Sequence, residues 1–123
     1  MVSFYSNGLS VQKDDSSKVA KIEVKNNDTS QYELIVFDPA YETFLITQPP
    51  MNFYSESYYR TWNTQYVNIW NDRYLSQTKS GLYENSIDYD PTIGYGLELE
   101  YKLYYFFRFF EKKNHISLIP RGN

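Results

Sequence analysis

Residues 55–76, SESYYRTWNTQYVNIWNDRYLS, put four tyrosines and two tryptophans into one run that also carries Asn63 and Arg73. Rings at this density must either build the inside of the domain or form a binding surface. At about 100° per residue, Tyr58, Tyr59, Trp62, Tyr66, Ile69, Trp70 and Tyr74 fall on one half of a helix, while Thr61, Thr64, Gln65, Asn68 and Asp72 fall on the other. That is the pattern of a core-facing helix. The competing reading is an aromatic surface for sugars built from Tyr58, Tyr59, Trp62, Tyr66 and Trp70. A tyrosine hydroxyl needs a partner when its ring is buried, so the edge of the stripe is expected to be wet or hydrogen-bonded.

A second aromatic run, GYGLELEYKLYYFFRFFEKKN (residues 94–114), reads two ways. Leu97, Leu99, Tyr101 and Leu103 alternate with charged residues as in a strand, yet Leu99, Leu103, Phe106, Phe107 and Phe110 share a helical face. Its length and its basic ending, Lys112-Lys113, select the helix. Rings at Tyr101, Tyr104, Tyr105 and Phe109 occupy the remaining sides and predict a central, nearly enclosed helix.

Strands are predicted upstream. Ala20, Ile22 and Val24 alternate with Lys21, Glu23 and Lys25; KNNDTSQ supplies turn residues; and YELIVF (residues 32–37) reads as a more buried strand. Asp38-Pro39 marks a helix start, with the aspartate as N-cap. Pro49-Pro50 ends that helix, Ser55 caps the long one, Asp90-Pro91 reads as a second strand-to-helix joint, and ISLI (residues 116–119) reads as a closing strand. The expectation is an α+β fold: a small, mainly antiparallel sheet of about residues 20–25, 32–37 and 116–119, covered by three helices starting near residues 39, 55 and 95. Residues 1–18 read as a polar leader or tether and residues 19–123 as one globular domain, which suits 123 residues.

Charge and composition narrow the function. Twelve basic against 15 acidic residues, with no basic cluster longer than Lys112-Lys113, give nucleic acid no electrostatic footprint. The absence of cysteine removes disulfides, thiolate nucleophiles and iron–sulfur ligation. His115 is the only histidine, so serine–histidine–acid catalysis and histidine-rich metal sites are not expected, and a lone histidine after a helix reads as a cap or surface residue. No phosphate-loop or dinucleotide fingerprint is present; Gly94-Tyr95-Gly96 is too short to cradle a phosphate. No cofactor and no metal are expected. Glu84, Asp88 and Asp90 are the carboxylates close enough in sequence for acid–base work, against a structural reading in which Asp90 caps a helix and Asp88 meets a cation. Arg73 falls within the apolar arc of the long helix and is predicted to pair with Asp38, Asp88 or Asp90 at a strand-to-helix joint.

FDPAYETFLITQPP, FYSESYYRTWNTQYVNIWNDRY and LYENSIDYDPTIGYGLELEYKLYYFFRFFEKK together resemble a family of small uncharacterised Gram-negative envelope proteins, typically lipoproteins, over about residues 30–119. The resemblance implies a periplasm-facing domain tethered through a lipidated N-terminal cysteine. It supplies no activity, no cofactor and no partner; the expected partner is another envelope protein or complex, or cell-wall glycan. This sequence carries no cysteine and no leader, and no stretch is apolar enough to span a bilayer, so membrane association is expected only through an anchor lying outside it. Three classes follow: a non-catalytic accessory or interaction domain, a glycan- or peptidoglycan-binding module, and a carboxylate-dependent hydrolase.

Overall fold

The computed structural model describes residues 19–25, 28–78 and 81–121, with backbone alone at 28–30. The leader expected over residues 1–18, and Asn26 and Asn27 of the predicted turn, lie outside the described residues. The fold is α+β: strands β1 (Ala20–Lys25) and β2 (Asp28–Val36), then helices α1 (Ala40–Ile46), α2 (Glu56–Leu75) and α3 (Leu97–Asn114), with a short 3-10 turn at Met51–Phe53.

The strands pair antiparallel, Ala20 with Val36, Ile22 with Leu34 and Val24 with Tyr32, and a bulge follows Val24. Residues two apart share a face, so Ala20, Ile22, Tyr32, Leu34 and Val36 turn to the core. Lys21, Glu23, Glu33 and Ile35 take the other face, where Lys21 bridges Glu23 at 3.1 Å. The run YELIVF is therefore half-buried rather than enclosed, because among the described residues one face of the sheet has a helix to pack on.

Among the described residues the sheet has two strands, not three. The segment 116–119 is not a strand: the Leu118 N–H donates to Glu111 Oε2 at 2.8 Å, so a side-chain carboxylate takes the place of a ladder. Leu118 is nonetheless buried, which accounts for its apolar character. Asp90-Pro91 opens a turn, not a helix; Asp90 Oδ1 accepts from both the N–H and the hydroxyl of Thr92, and α3 begins only at Leu97 after Gly96, whose φ of 98° favours glycine.

The remaining joints follow local chemistry. Asp38 accepts from the Ala40 N–H at 3.0 Å at the entry to α1, and Ser55 accepts from the Tyr58 N–H at 3.1 Å at the entry to α2. His115 ends α3 in the left-handed region, with its own N–H on the Lys112 carbonyl and the Ile116 N–H on that of Glu111.

Helices α2 and α3 run in the same direction. Tyr59 meets Tyr101 and Tyr105, Tyr66 meets Phe107 and Trp70 meets Phe110, so residue numbers rise together along both. Parallel neighbours need a return path of roughly 30 Å, the length of a 20-residue helix, and residues 76–96 supply it. Two asparagines pin that path. Asn71 on α2 grips both backbone groups of Ile87 at 2.8 and 2.9 Å, and Asn85 grips Val19 N–H and the Ala20 carbonyl at 2.8 Å each. Trp70 Nε1 donates to the Asn85 carbonyl, tying the same stretch to the core.

Candidate functional site

Two stripes face each other across the helix pair. Tyr59, Asn63, Tyr66 and Trp70 repeat at helical spacing on α2, and Glu100, Tyr104, Phe107 and Glu111 repeat likewise on α3. All of these side chains are buried, so each aromatic stripe carries polar groups that must be satisfied inside.

Glu100 forms the first polar layer. It is wholly enclosed; Asn63 Nδ2 donates to its Oε1 at 2.9 Å, the Tyr89 hydroxyl donates to the same oxygen at 3.0 Å, and Arg60 Nε lies 3.6 Å from Oε2. Burial raises the Glu100 pKa against these opposing hydrogen bonds, and burial likewise raises that of Tyr89. Asn63 Oδ1 and Arg60 Nε have no hydrogen-bond partner among the described residues, an imperfection of about 1–3 kcal/mol for each group. Glu100 has no exposed surface among the described residues, and its contacts to Asn63 and Tyr89 join α2 and the return path to α3.

Glu111 forms the second layer, at the open end. Its Oε1 accepts from the Tyr66 hydroxyl and from Arg108 Nη1, both at 3.2 Å, while Oε2 holds the Leu118 N–H. Arg121 closes over it. The guanidinium lies 3.7 Å from the Trp62 ring centre and donates to the hydroxyls of Tyr104 and Tyr66 at 3.0 and 3.4 Å. Burial pushes the Tyr104 phenol up to about 12 against the opposing hydrogen bond from Arg121, and burial raises that of Tyr66 as well, so these hydroxyls stay protonated.

Next to this layer a cleft of about 490 Å³ is lined by Arg108, Lys112 and Arg121 with Glu111, Phe44 and Ile116. On the other side of Phe44 and Lys112 lies a hollow of about 650 Å³, floored by Phe44 and Phe109 and rimmed by Lys112, Lys113 and His115. A family model matches residues 1–120, nearly the whole chain. The chain belongs to a family of unknown function, DUF6146. No curated protein and no solved structure matches it.

In this DUF6146 chain the polar cluster predicted from sequence does not assemble. Arg73 donates to the Tyr83 hydroxyl at 2.9 Å and lies 5.9 Å from that ring, not beside Asp38, Asp88 or Asp90. The correction has a plain cause: Arg73 sits at the last turn of α2, where it reaches out past a ring, and needs no buried carboxylate. Asp38 pairs instead with Lys113, which holds its carboxyl below the usual range. Asp90 is occupied by Thr92, and Asp88 and Glu84 are exposed, so the three carboxylates do not converge. Of the predicted aromatic surface, Tyr59, Tyr66 and Trp70 are buried, while Tyr58 and Trp62 are half-buried at the edge. Tyr54 stacks on Tyr58 at 3.9 Å and Arg121 on Trp62, so one face of each edge ring is already taken.

Sequence reasoning missed Asn63, Glu100, Glu111 and Arg121. A signal existed for the acids. Glu100 and Glu111 stand at i and i+11 with Tyr104 and Phe107 between them, on a stripe otherwise made of rings. Arg121 had none, since its partners come from both long helices.

Proposed function

We propose that this chain is a non-catalytic interaction domain carried at the cell envelope, and that it docks another envelope protein through the hollow between α1 and the end of α3. The observation that carries this reading is the hollow itself, where Phe44 and Phe109 form an apolar floor inside a rim of Lys112, Lys113 and His115. In a chain of net charge −3, a basic rim around an aromatic floor suits a segment with an apolar anchor flanked by acidic residues. The envelope setting rests on the motif resemblance over residues 30–119.

The glycan reading has less support. Sugar stacking needs free ring faces, and Tyr58 and Trp62 each have one face covered by a neighbour from this chain. The hydrolase reading has less support too: the predicted acids Glu84, Asp88 and Asp90 do not share a cleft, and where two other carboxylates border one, Glu33 with Glu98 and Asp38 with Glu84, one of each pair is already held by a lysine, Lys102 or Lys113.

A photo-crosslinking side chain placed at Thr43 or Thr47, on the hollow, and at Gln65, on the exposed face of α2, tests the proposal in cells making the native full-length protein. Thr43 and Thr47 are expected to capture one recurring envelope protein, less at high salt because rim charges are screened. Equal capture at Gln65, or none at the hollow, removes the docking surface. Recovery of the native protein in the cytoplasmic fraction removes the envelope setting.

A further inference from the structure

We propose that the cleft beside Glu111 is a binding site for a small organic oxyanion, a phosphate or carboxylate group held by Arg108, Lys112 and Arg121, with an apolar part against Phe44 and Ile116. It is a separate site from the docking hollow, although Lys112 and Phe44 border both.

The argument begins with charge. Three cations meet one carboxylate around this cleft, in a chain that is acidic as a whole. Glu111 pairs with one of the three, Arg108, and is otherwise held by the Leu118 N–H and the Tyr66 hydroxyl, so the cleft keeps an excess of positive charge from Lys112 and Arg121. Arg121 donates to phenol hydroxyls, which carry no compensating charge, and among the described residues it has no carboxylate partner. Complementarity to the carbonyl end of α3 accounts for Lys112 and the pair with Glu111 for Arg108, but neither accounts for Arg121, which lies outside the helix.

Geometry is the second support. Arg108 and the Tyr66 hydroxyl share Glu111 Oε1, and Arg121 donates to that same hydroxyl, so one relay holds both guanidiniums at the cleft. The stack on Trp62 fixes the plane of Arg121. These hydrogen bonds use one N–H of Arg108 and two of Arg121, leaving donors on both planar forks for a bidentate oxyanion. The volume, about 490 Å³, exceeds what a bare phosphate fills and lies in the range of small-molecule sites, about 300–1,000 Å³.

Calorimetric titration of the purified protein with phenyl phosphate, benzoate and inorganic phosphate, at matched ionic strength, tests the site. Saturable one-to-one binding of phenyl phosphate or benzoate is expected, tighter than inorganic phosphate, and the stronger of the two names the head group. Arg108→Gln and Lys112→Gln should each weaken it by about tenfold or more, since a charge-assisted bond is lost. Lys21→Gln, on the sheet, should leave it unchanged. Both cleft variants change half-exposed or exposed side chains, and a melting curve confirms that they are folded. No saturable binding of any probe, or binding that the cleft variants leave intact, overturns the proposal. Because the titration uses no partner protein, its outcome is independent of the crosslinking result.

Discussion

At the scale of single residues, the buried acid Glu100 sets a measurable pH dependence. Burial raises its folded-state pKa above the ordinary 4.5, so folding takes up a proton between that value and the raised one. Its contribution to stability is therefore fully present below about pH 4.5 and is lost as the pH rises through the folded pKa. Glu100→Gln removes that loss, while its amide can still accept from Asn63 and donate to the Tyr89 hydroxyl. The melting temperature of the variant relative to the parent is expected to climb from acid to neutral pH; a constant or shrinking difference would count against a raised pKa. Arg73 makes the opposite case. Its partner is a neutral phenol and the ring beneath it, so Arg73→Ala should lose about 1 kcal/mol in urea denaturation, not the roughly 3–5 kcal/mol that follows from stranding one half of a buried ion pair.

At the scale of elements, the return path between α2 and α3 depends on side chains that imitate backbone. Asn71 both donates to and accepts from Ile87, as a strand neighbour would. Asn71→Ala should destabilise by about 2–3 kcal/mol, from two lost bonds and two backbone groups left to find water. Asn71→Asp should be no better, because a carboxylate cannot donate to the Ile87 carbonyl. Rescue by aspartate, read from the same denaturation curves, would show that only the Ile87 N–H matters. The end of α3 offers a gain: His115 holds φ at 56°, where glycine is at ease, so His115→Gly should stabilise by about 0.5–1 kcal/mol. A loss of stability would reveal a role for the imidazole beyond ending the helix.

At the scale of the whole molecule, the core is a lattice of rings with Trp70 at its centre, within 6 Å of Tyr83, Phe106, Phe107 and Phe110. Trp70→Ala should cost about 3–5 kcal/mol, a large share of the roughly 5–15 kcal/mol that holds a domain together. A chemical denaturation midpoint near the parent's would mean that the lattice repacks freely. The sequence by itself determined the helices, because periodicity and caps are local: the aromatic half of α2, the enclosed α3 and the Ser55 cap can each be read within a few residues. It also indicated β1 and most of its pairing partner, but residues 28–31, read as turn, extend β2, since pairing with the end of β1 outweighs their local turn preference. Tertiary structure alone decided the rest. Whether ISLI becomes a strand depends on what its N–H groups meet, and Glu111, folded back from the preceding helix, reached Leu118 first. Arg73 was assigned a carboxylate because a helical wheel shows direction but not depth, and depth decides whether a guanidinium needs a counter-charge. The Arg108–Lys112–Arg121 cleft lay beyond reach for a similar reason, since Arg121 meets Trp62 and Tyr66 across more than fifty positions of chain, and only packing sets such a distance.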